Sequence, residues 1–350
     1  MGIFRLLLAY LVIACHTSGY KTLFKIDVGT IAVSSFFFIS GFLMPLAYQA
    51  HYQIFSLWEG LKKFYINRIL RIFPIYWASI LTVLIMFWIN LIRGKALDPS
   101  LYKIPTYIQN FLLIGLNQSK VWGGYYRFNN PAWTLDIELQ YYLLAPFLIL
   151  ATRRYKMAVN LILIIFSIVS VHFILNPFDL VDIDRSFLAW SVFFILGYAF
   201  YESSRLQKLL SRVPIVVSGT ILAFLAACLV RSTNIANHLV TLGFMVMSAH
   251  LLVLQKKYKF GPIDKLAGDL SYPVYILHIV FFPFFIKFAS MVGLDSIGII
   301  PQFIFSLMGH ILISTLVGFS ALRLIADPID TLREKIRGHK KGPSILVQEC

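Results

Sequence analysis

The sequence predicts an all-α integral membrane protein, a bundle of about ten transmembrane helices. Of its 350 residues, 59% are hydrophobic and only 13% are charged, and the mean hydropathy is +0.76. Apolar stretches long enough to cross a bilayer recur along the whole chain. Lysines and arginines are concentrated in alternate connections between these stretches, as in multi-pass membrane proteins.

Hydropathy predicts ten membrane-crossing segments, and no internal repeat or low-complexity linker divides them. The segments are residues 3–16, 31–49, 73–92, 132–152, 157–174, 186–202, 213–230, 235–254, 271–291 and 301–325. A further apolar piece, residues 107–116, is too short to cross, and we expect it to be interfacial or re-entrant within the loop 93–131. The simplest partition is a membrane domain over residues 1–325 and a short basic tail over residues 326–350.

The distribution of basic residues predicts the orientation. One alternate set of connections, together with the tail, contains nineteen lysines and arginines, and the opposite set contains eight. Because short cytoplasmic loops are enriched in these residues, both termini are predicted to be cytoplasmic. The anionic inner leaflet is then the counterpart of the net charge of +15. Nucleic-acid binding is a poor explanation, since the basic residues are divided among separate loops.

The first segment contains two ionisable residues, Arg5 and His16, eleven positions apart. On a helix they differ by about 20° in azimuth and lie about 16 Å apart along the axis, so they share one stripe. Ionisable groups inside a membrane span are costly, and histidine titrates near neutrality, so the pair is a candidate for proton transfer. The alternative is that Arg5 snorkels to the headgroups and His16 lies at the interface.

Four further clusters of polar residues are candidates, and each has a purely structural alternative. Small residues within a span usually indicate close helix packing, paired arginines anchor a span, boundary aromatics form a belt, and an intramembrane histidine can bond a neighbouring helix. The clusters are Ser40-Gly41 between aromatics; Arg68 and Arg71, at i and i+3; Asp136 and Glu138, with Tyr142 on the same face as Glu138; and Ser271, Tyr275 and His278, at i, i+4 and i+7. Pro273, beside the last cluster, is expected in the first turn of the ninth segment.

Neither a disulfide framework nor a metal site is predicted. Cys15 and Cys228 fall within predicted spans and Cys350 is the last residue, while the eight histidines are dispersed without ligand-like spacing. We therefore expect no metal cofactor.

Together the clusters resemble one family, the integral-membrane acyltransferase 3 proteins, which transfer acyl groups, usually acetyl, to hydroxyls of bacterial surface and exported polysaccharides. The motifs follow the family's order along nearly the whole chain. They are Arg5-x10-His16, the segment FFFISGF at 36–42, Arg68-x-x-Arg71 followed by Pro74 and Tyr76, Trp133-Thr134-Leu135 with Glu138, and Ser271-Tyr272 followed by Tyr275 and His278.

The resemblance implies acyl transfer from acetyl-CoA to a carbohydrate or lipid-linked glycan at the bacterial cytoplasmic (inner) membrane. His16 is then the expected general base, with Arg5 gripping the donor and Glu138 orienting the imidazole. Arg68 and Arg71 correspond to the family's candidates for holding the coenzyme A phosphates. We expect Ser40, Ser271, Tyr275 and His278 to line a tunnel for direct transfer.

The chain departs from the family pattern at its start. Family members usually carry an Asp-Gly pair and a few more residues ahead of the arginine, so we expect the natural chain to begin several residues before Met1. Two other classes remain as alternatives, a transporter of polysaccharide precursors and a membrane scaffold. A transporter often has inverted repeats, which the sequence lacks, and a scaffold leaves the intramembrane Arg, His and Glu without a role.

Overall fold

The structure, a computed structural model, contains helices joined by turns and loops, and no strand, in the part of the chain that it describes. It describes residues 1–17, 19–23, 27–96, 98–116, 126–175, 185–228, 234–258, 260–291, 293 and 298–337. The helices are α1 (Gly2–His16), α2 (Tyr20–Leu23), α3 (Val28–His51), α4 (Leu57–Ile92), α5 (Ile104–Leu112), α6 (Ala132–Arg154), α7 (Lys156–Leu175), α8 (Phe187–Glu202), α9 (Ser204–Leu210), α10 (Ile215–Cys228), α11 (Asn234–Lys257), α12 (Pro262–Met291), α13 (Ile299–Ala321) and α14 (Asp327–Arg337).

Each of the ten predicted segments overlaps one of these helices. Six helices in the described ranges are long and apolar enough to cross a membrane, and three shorter ones are apolar. The all-α membrane class is therefore confirmed. The short piece at 107–116 overlaps α5. Several predicted features lie outside the described residues, namely Lys25, Lys120, Arg231, the end of the seventh segment (229–230) and the tail beyond Arg337.

Two helices begin earlier than hydropathy predicts. α4 begins at Leu57 rather than at residue 73, so Arg68 and Arg71 lie inside a continuous helix. α12 begins at Pro262, and Pro273 lies in its interior, so the prediction that Pro273 occupies a first turn is wrong. Proline at this position removes one backbone hydrogen bond from the helix.

The helices form two compact units. The first contains Met1–Leu43 and Gly197–Leu324, and the second contains Met44–Leu196 and Ile325–His339. In the first unit, α1 packs against α12 and α13, and α10 packs against α11. The buried side of α1 includes Leu8 and Val12, on the stripe predicted to carry Arg5 and His16, whereas Ile3 and Leu7 are exposed.

Glycine allows close helix contacts within the first unit. A Cβ atom on Gly2 would lie 1.7 Å from the Asp264 carbonyl oxygen, so α1 and α12 meet backbone to backbone. In the same way, a Cβ on Gly197 of α8 would lie 2.0 Å from the carbonyl oxygen of Phe38. The aromatic segment at 36–42 therefore takes part in close helix packing, which is one of the two interpretations of its small residues.

Gly197→Ala is expected to destabilise the protein by about 1–3 kcal/mol, as overpacking of a filled interior does. The atom that the new methyl group would meet belongs to the backbone of α3 and cannot rotate away. Thermal unfolding in detergent measures the change. Gly261→Ala is the matched control because, apart from its chain neighbours, no atom of the described residues lies within 4 Å of the added Cβ. Equal melting temperatures for the two variants would contradict the prediction.

In the second unit, α4 contacts α5, α6 and α14. Buried hydrogen bonds fix α4 to the segments that follow it. The Tyr76 hydroxyl donates to the Asn110 carbonyl at 2.6 Å, and the Asn129 amide donates to the Ser79 hydroxyl at 3.0 Å. A π-helical turn, Leu322–Ala326, joins α13 to α14, so the helical chain continues into the predicted basic tail as far as Arg337.

Candidate active site: a histidine cluster and an arginine cluster

His16 ends α1, and its ring is held by the preceding turn. Its Nδ1 lies 2.8 Å from the Val12 carbonyl oxygen. A carbonyl only accepts hydrogen bonds, so Nδ1 carries the proton and the lone pair of the neutral ring is on Nε2. Val12 is four residues earlier, on the same stripe, which is why the helix can supply this acceptor. The arrangement gives His16 a defined basic nitrogen.

Two further histidines of the first unit complete a cluster with His16. The ring centroid of His278 on α12 lies 5.2 Å from that of His16, and the ring centroid of His310 on α13 lies 5.7 Å from that of His278. His278 and His310 are 0% and 1% exposed. Phe282 stacks on His310 with centroids 4.3 Å apart. We call His16, His278 and His310 the histidine cluster.

Hydrogen bonds assign protons within the cluster. His278 Nδ1 donates to the Tyr275 carbonyl at 2.6 Å, and His310 Nε2 donates to the His278 carbonyl at 3.1 Å. The Thr17 hydroxyl donates its proton to the Ile13 carbonyl at 2.9 Å, and its oxygen lies 3.3 Å from His310 Nδ1. Among the described residues, His278 Nε2 is buried without a hydrogen-bond partner. The cluster thus presents basic ring nitrogens in an apolar interior.

No group of three or more His, Cys, Asp or Glu side chains within the described ranges could hold a metal ion. The rings of the histidine cluster are tilted relative to one another by 49° and 43°. Imidazole groups such as these can take up and release protons near neutral pH.

The other residues predicted for this part of the site lie in the same unit. Ser271, Tyr275 and His278 form a buried stripe on α12, and the Tyr275 ring meets Phe36 of α3 edge-on at 5.9 Å. Ser40 of α3 and Arg5 of α1 are partly buried. The structure therefore places all five in the helices around α12 without testing their roles.

Cys15 is adjacent to the histidine cluster. Its sulfur lies 3.5 Å from His16 Nδ1 and beneath Gly29, where an added Cβ would approach it to 2.5 Å. His16 Nδ1 is the nitrogen that donates to Val12, so this contact is not with the basic nitrogen. Cys15 could in principle accept the acyl group from the donor and pass it to the acceptor. The geometry instead favours a thiol that only fills space between helices.

A second group of charged residues lies in the second unit, around Arg68 of α4. Arg68 is 2% exposed, and its guanidinium carbon lies 5.5 Å from the ring centroid of Phe64 and 5.7 Å from that of Tyr142. Aromatic faces attract such a cation, and they leave the edge of the guanidinium plane for hydrogen bonding. Arg68 is therefore held in a fixed orientation inside the unit.

Glu138 is linked to Arg68 through Tyr142. The Tyr142 hydroxyl donates to the Glu138 carboxylate, which confirms that the two lie on one face of α6. Tyr142 is also within electrostatic range of both Arg68 and Arg71. Glu138 belongs to the second unit and His16 to the first.

Helix α14 adds two arginines to this neighbourhood. The charge of Arg333 interacts with those of Arg71, Arg68 and Arg337. Arg333 is 3% exposed, forms a salt bridge with Asp330 and donates from Nε to the Asn67 side-chain oxygen at 3.0 Å. The Asn67 amide in turn donates to the Arg333 carbonyl at 3.1 Å. We call Arg68, Arg71, Arg333 and Arg337 the arginine cluster.

Asn67→Leu is expected to lower the free energy of unfolding by about 1–3 kcal/mol, because the buried Nε of Arg333 loses its acceptor. Denaturant unfolding in mixed micelles measures this change. Asn90→Leu, at a less buried position of the same helix, removes an identical amide group and serves as the control. A difference below about 0.3 kcal/mol between the variants would contradict the assigned bond.

Sequence reasoning missed His310, Arg333 and Arg337 as members of these clusters. His310 is an ionisable residue in an apolar helix, and that signal could have singled it out. Asp330, Arg333 and Arg337 are spaced i, i+3 and i+7, which places them on one face of α14. This spacing could have distinguished them from the scattered charges of an unstructured tail.

Comparisons with known proteins agree with the motifs. A family model described as "Acyltransferase domain", that of the acyltransferase 3 family, matches residues 1–319. The chain is also similar to Nodulation protein 10 from Rhizobium leguminosarum bv. viciae, with 25% identity over 278 residues, 71% of this chain and 70% of that protein. No solved structure matches. The match over nearly the whole helical region establishes that the chain belongs to the acyltransferase 3 family and is a multi-pass membrane O-acyltransferase.

Proposed function

We propose that the protein transfers an acetyl group from acetyl-CoA to a hydroxyl of a cell-envelope or exported polysaccharide, with His16 as the general base. The observation that carries the proposal is the hydrogen bond from His16 Nδ1 to Val12, which leaves Nε2 as the basic nitrogen of a histidine in an apolar cluster. Membership of the acyltransferase 3 family supports acyl transfer as the reaction class.

The reaction follows from this assignment. His16 Nε2 removes the proton of the acceptor hydroxyl while that oxygen attacks the thioester carbonyl carbon. The tetrahedral intermediate collapses, the carbon–sulfur bond breaks, and the departing coenzyme A thiolate takes the proton from the imidazolium. His278, with a buried basic nitrogen beside the His16 ring, stabilises the transient positive charge by polarising toward it. The acetyl ester and the free thiol are the products.

Arginine side chains are the proposed binding groups for the acyl donor. Arg68 and Arg71 bind the phosphates of acetyl-CoA, because guanidinium groups match phosphate oxygens in a bidentate manner. The fixed orientation of Arg68 between Phe64 and Tyr142 supports this role. Arg5 grips the donor and Glu138 orients the base, the roles that the sequence predicts for them.

The remaining sequence predictions complete the proposal. Ten helices cross the bacterial inner membrane, with both termini in the cytoplasm, where acetyl-CoA is available. Residues 1–325 form the membrane acyltransferase domain and residues 326–350 a basic tail. The path of the thioester is lined by Ser40, Ser271, Tyr275 and His278. Full activity after all four are substituted together would exclude this path.

Purified protein in nanodiscs, supplied with labelled acetyl-CoA and a bacterial surface glycan, tests the proposed function. We expect label to appear in the glycan as an ester that mild alkali releases. A polysaccharide transporter would instead move glycan across a vesicle membrane without forming an ester. Glycan movement without label would overturn the proposal.

A further inference from the structure

The arginine cluster brings four guanidinium groups into one neighbourhood of the second unit. Arg333 is in a salt bridge with Asp330, and Tyr142, which donates to the Glu138 carboxylate, lies beside Arg68. Arg337 and Arg68 also both act electrostatically on His51, at the end of α3. Like charges that are partly buried repel one another, and an anion placed among them lowers that repulsion.

Hydrogen-bond donors in α14 point to the same conclusion. Nη2 of Arg333 and Nε of Arg337 are buried and have no hydrogen-bond partner among the described residues. Arg333 as a whole is 97% buried, given its exposure of 3%. Buried donors without acceptors are uncommon because each costs free energy, and a charged donor costs most. An acceptor-rich anion would satisfy both groups at once.

Asn67 explains how Arg333 is held ready for such an anion. The two hydrogen bonds between the Asn67 side chain and Arg333 fix α14 against α4 at the level of Arg68. Nε of Arg333 donates to Asn67 and Nη1 is in the salt bridge with Asp330. Nη2 is therefore the guanidinium nitrogen that remains for a further acceptor. Two helices distant in sequence thereby present their arginines together.

We infer that Arg333 and Arg337 belong to the same phosphate-binding site as Arg68 and Arg71, and that this site takes the nucleotide end of the acyl donor. The inference rests on the function proposed above. A coenzyme A nucleotide carries a pyrophosphate and a phosphomonoester, about four negative charges near neutral pH, and guanidinium groups bind such phosphates in a bidentate manner. A phosphorylated lipid headgroup has related chemistry with fewer charges.

Equilibrium binding of labelled coenzyme A to the full chain in zwitterionic nanodiscs tests this assignment. Arg333→Gln and Arg337→Gln are each expected to weaken binding about tenfold or more, because each removes charge-assisted hydrogen bonds to phosphate. Lys335→Gln is the matched control, since Lys335 is an exposed cation on the same helix. Arg333→Lys keeps the charge but loses the planar fork, and we expect an intermediate affinity.

Each outcome decides the assignment. Weaker coenzyme A binding in both glutamine variants and wild-type binding in Lys335→Gln would support it. Wild-type affinity in both glutamine variants would overturn it and leave the proposed donor standing. If the wild type binds no coenzyme A, the donor and this assignment both fail. Retention of anionic lipid that depends on Arg333, with unchanged coenzyme A affinity, would assign the site to a lipid headgroup instead.

Discussion

Replacing His16 by alanine is expected to lower the initial rate of acetyl transfer by about 10²–10⁴-fold, the range typical for loss of a general base. The imidazole supplies the basic nitrogen that its bond to Val12 defines, and alanine offers no replacement. The rate is measured as labelled ester formed from acetyl-CoA on the glycan, with purified protein at equal concentration.

His250→Asn is the matched control for His16→Ala. His250 is also buried in the first unit, where its Nδ1 lies 2.8 Å from the Ser218 hydroxyl, but it is not a member of the histidine cluster. We expect this variant to retain activity within a few-fold of the wild type. A His16→Ala variant with the wild-type rate would remove His16 from the mechanism. Equal losses of activity in both variants would indicate that replacing any buried histidine of this unit disturbs the fold.

Arg68→Lys is expected to raise the KM for acetyl-CoA about tenfold to a hundredfold, with a smaller change in kcat. Lysine keeps the charge, but it cannot form a bidentate contact with phosphate or present a flat face to Phe64 and Tyr142. Initial rates over a range of acetyl-CoA concentrations at saturating glycan separate the two constants.

Lys62→Gln is the comparison for this second variant, because Lys62 is an exposed cation on the same helix. Its KM is expected to equal that of the wild type. An unchanged KM in Arg68→Lys, or an equal rise in both variants, would show that Arg68 does not hold the donor.

Hydropathy located the helices because the free energy of transferring a segment from water into the bilayer depends on its local composition. It misplaced the starts of α4 and α12, since backbone hydrogen bonding continues through polar turns such as the one that carries Arg68. Residues four apart meet on any helix, which is why the pairing of Glu138 with Tyr142 was predictable.

Contacts between distant helices were not predictable in this way. His310 joins the histidine cluster through the packing of α13 on α12, and Arg333 joins the arginine cluster through Asn67, 266 positions away. No spacing of residues in the sequence marks either contact, because each depends on how distant helices pack together. The sequence indicated His16, His278, Arg68 and Arg71 individually, and the structure adds their companions.

A single-turnover experiment on His16→Gln tests the central claim most directly. The variant and the wild type are first matched for bound labelled acetyl-CoA, and glycan is then added to start the reaction. If His16 is the base, the variant retains donor binding and forms labelled ester at least about a hundredfold more slowly than the wild type. Equal rates of ester formation from equally loaded proteins would contradict the mechanism.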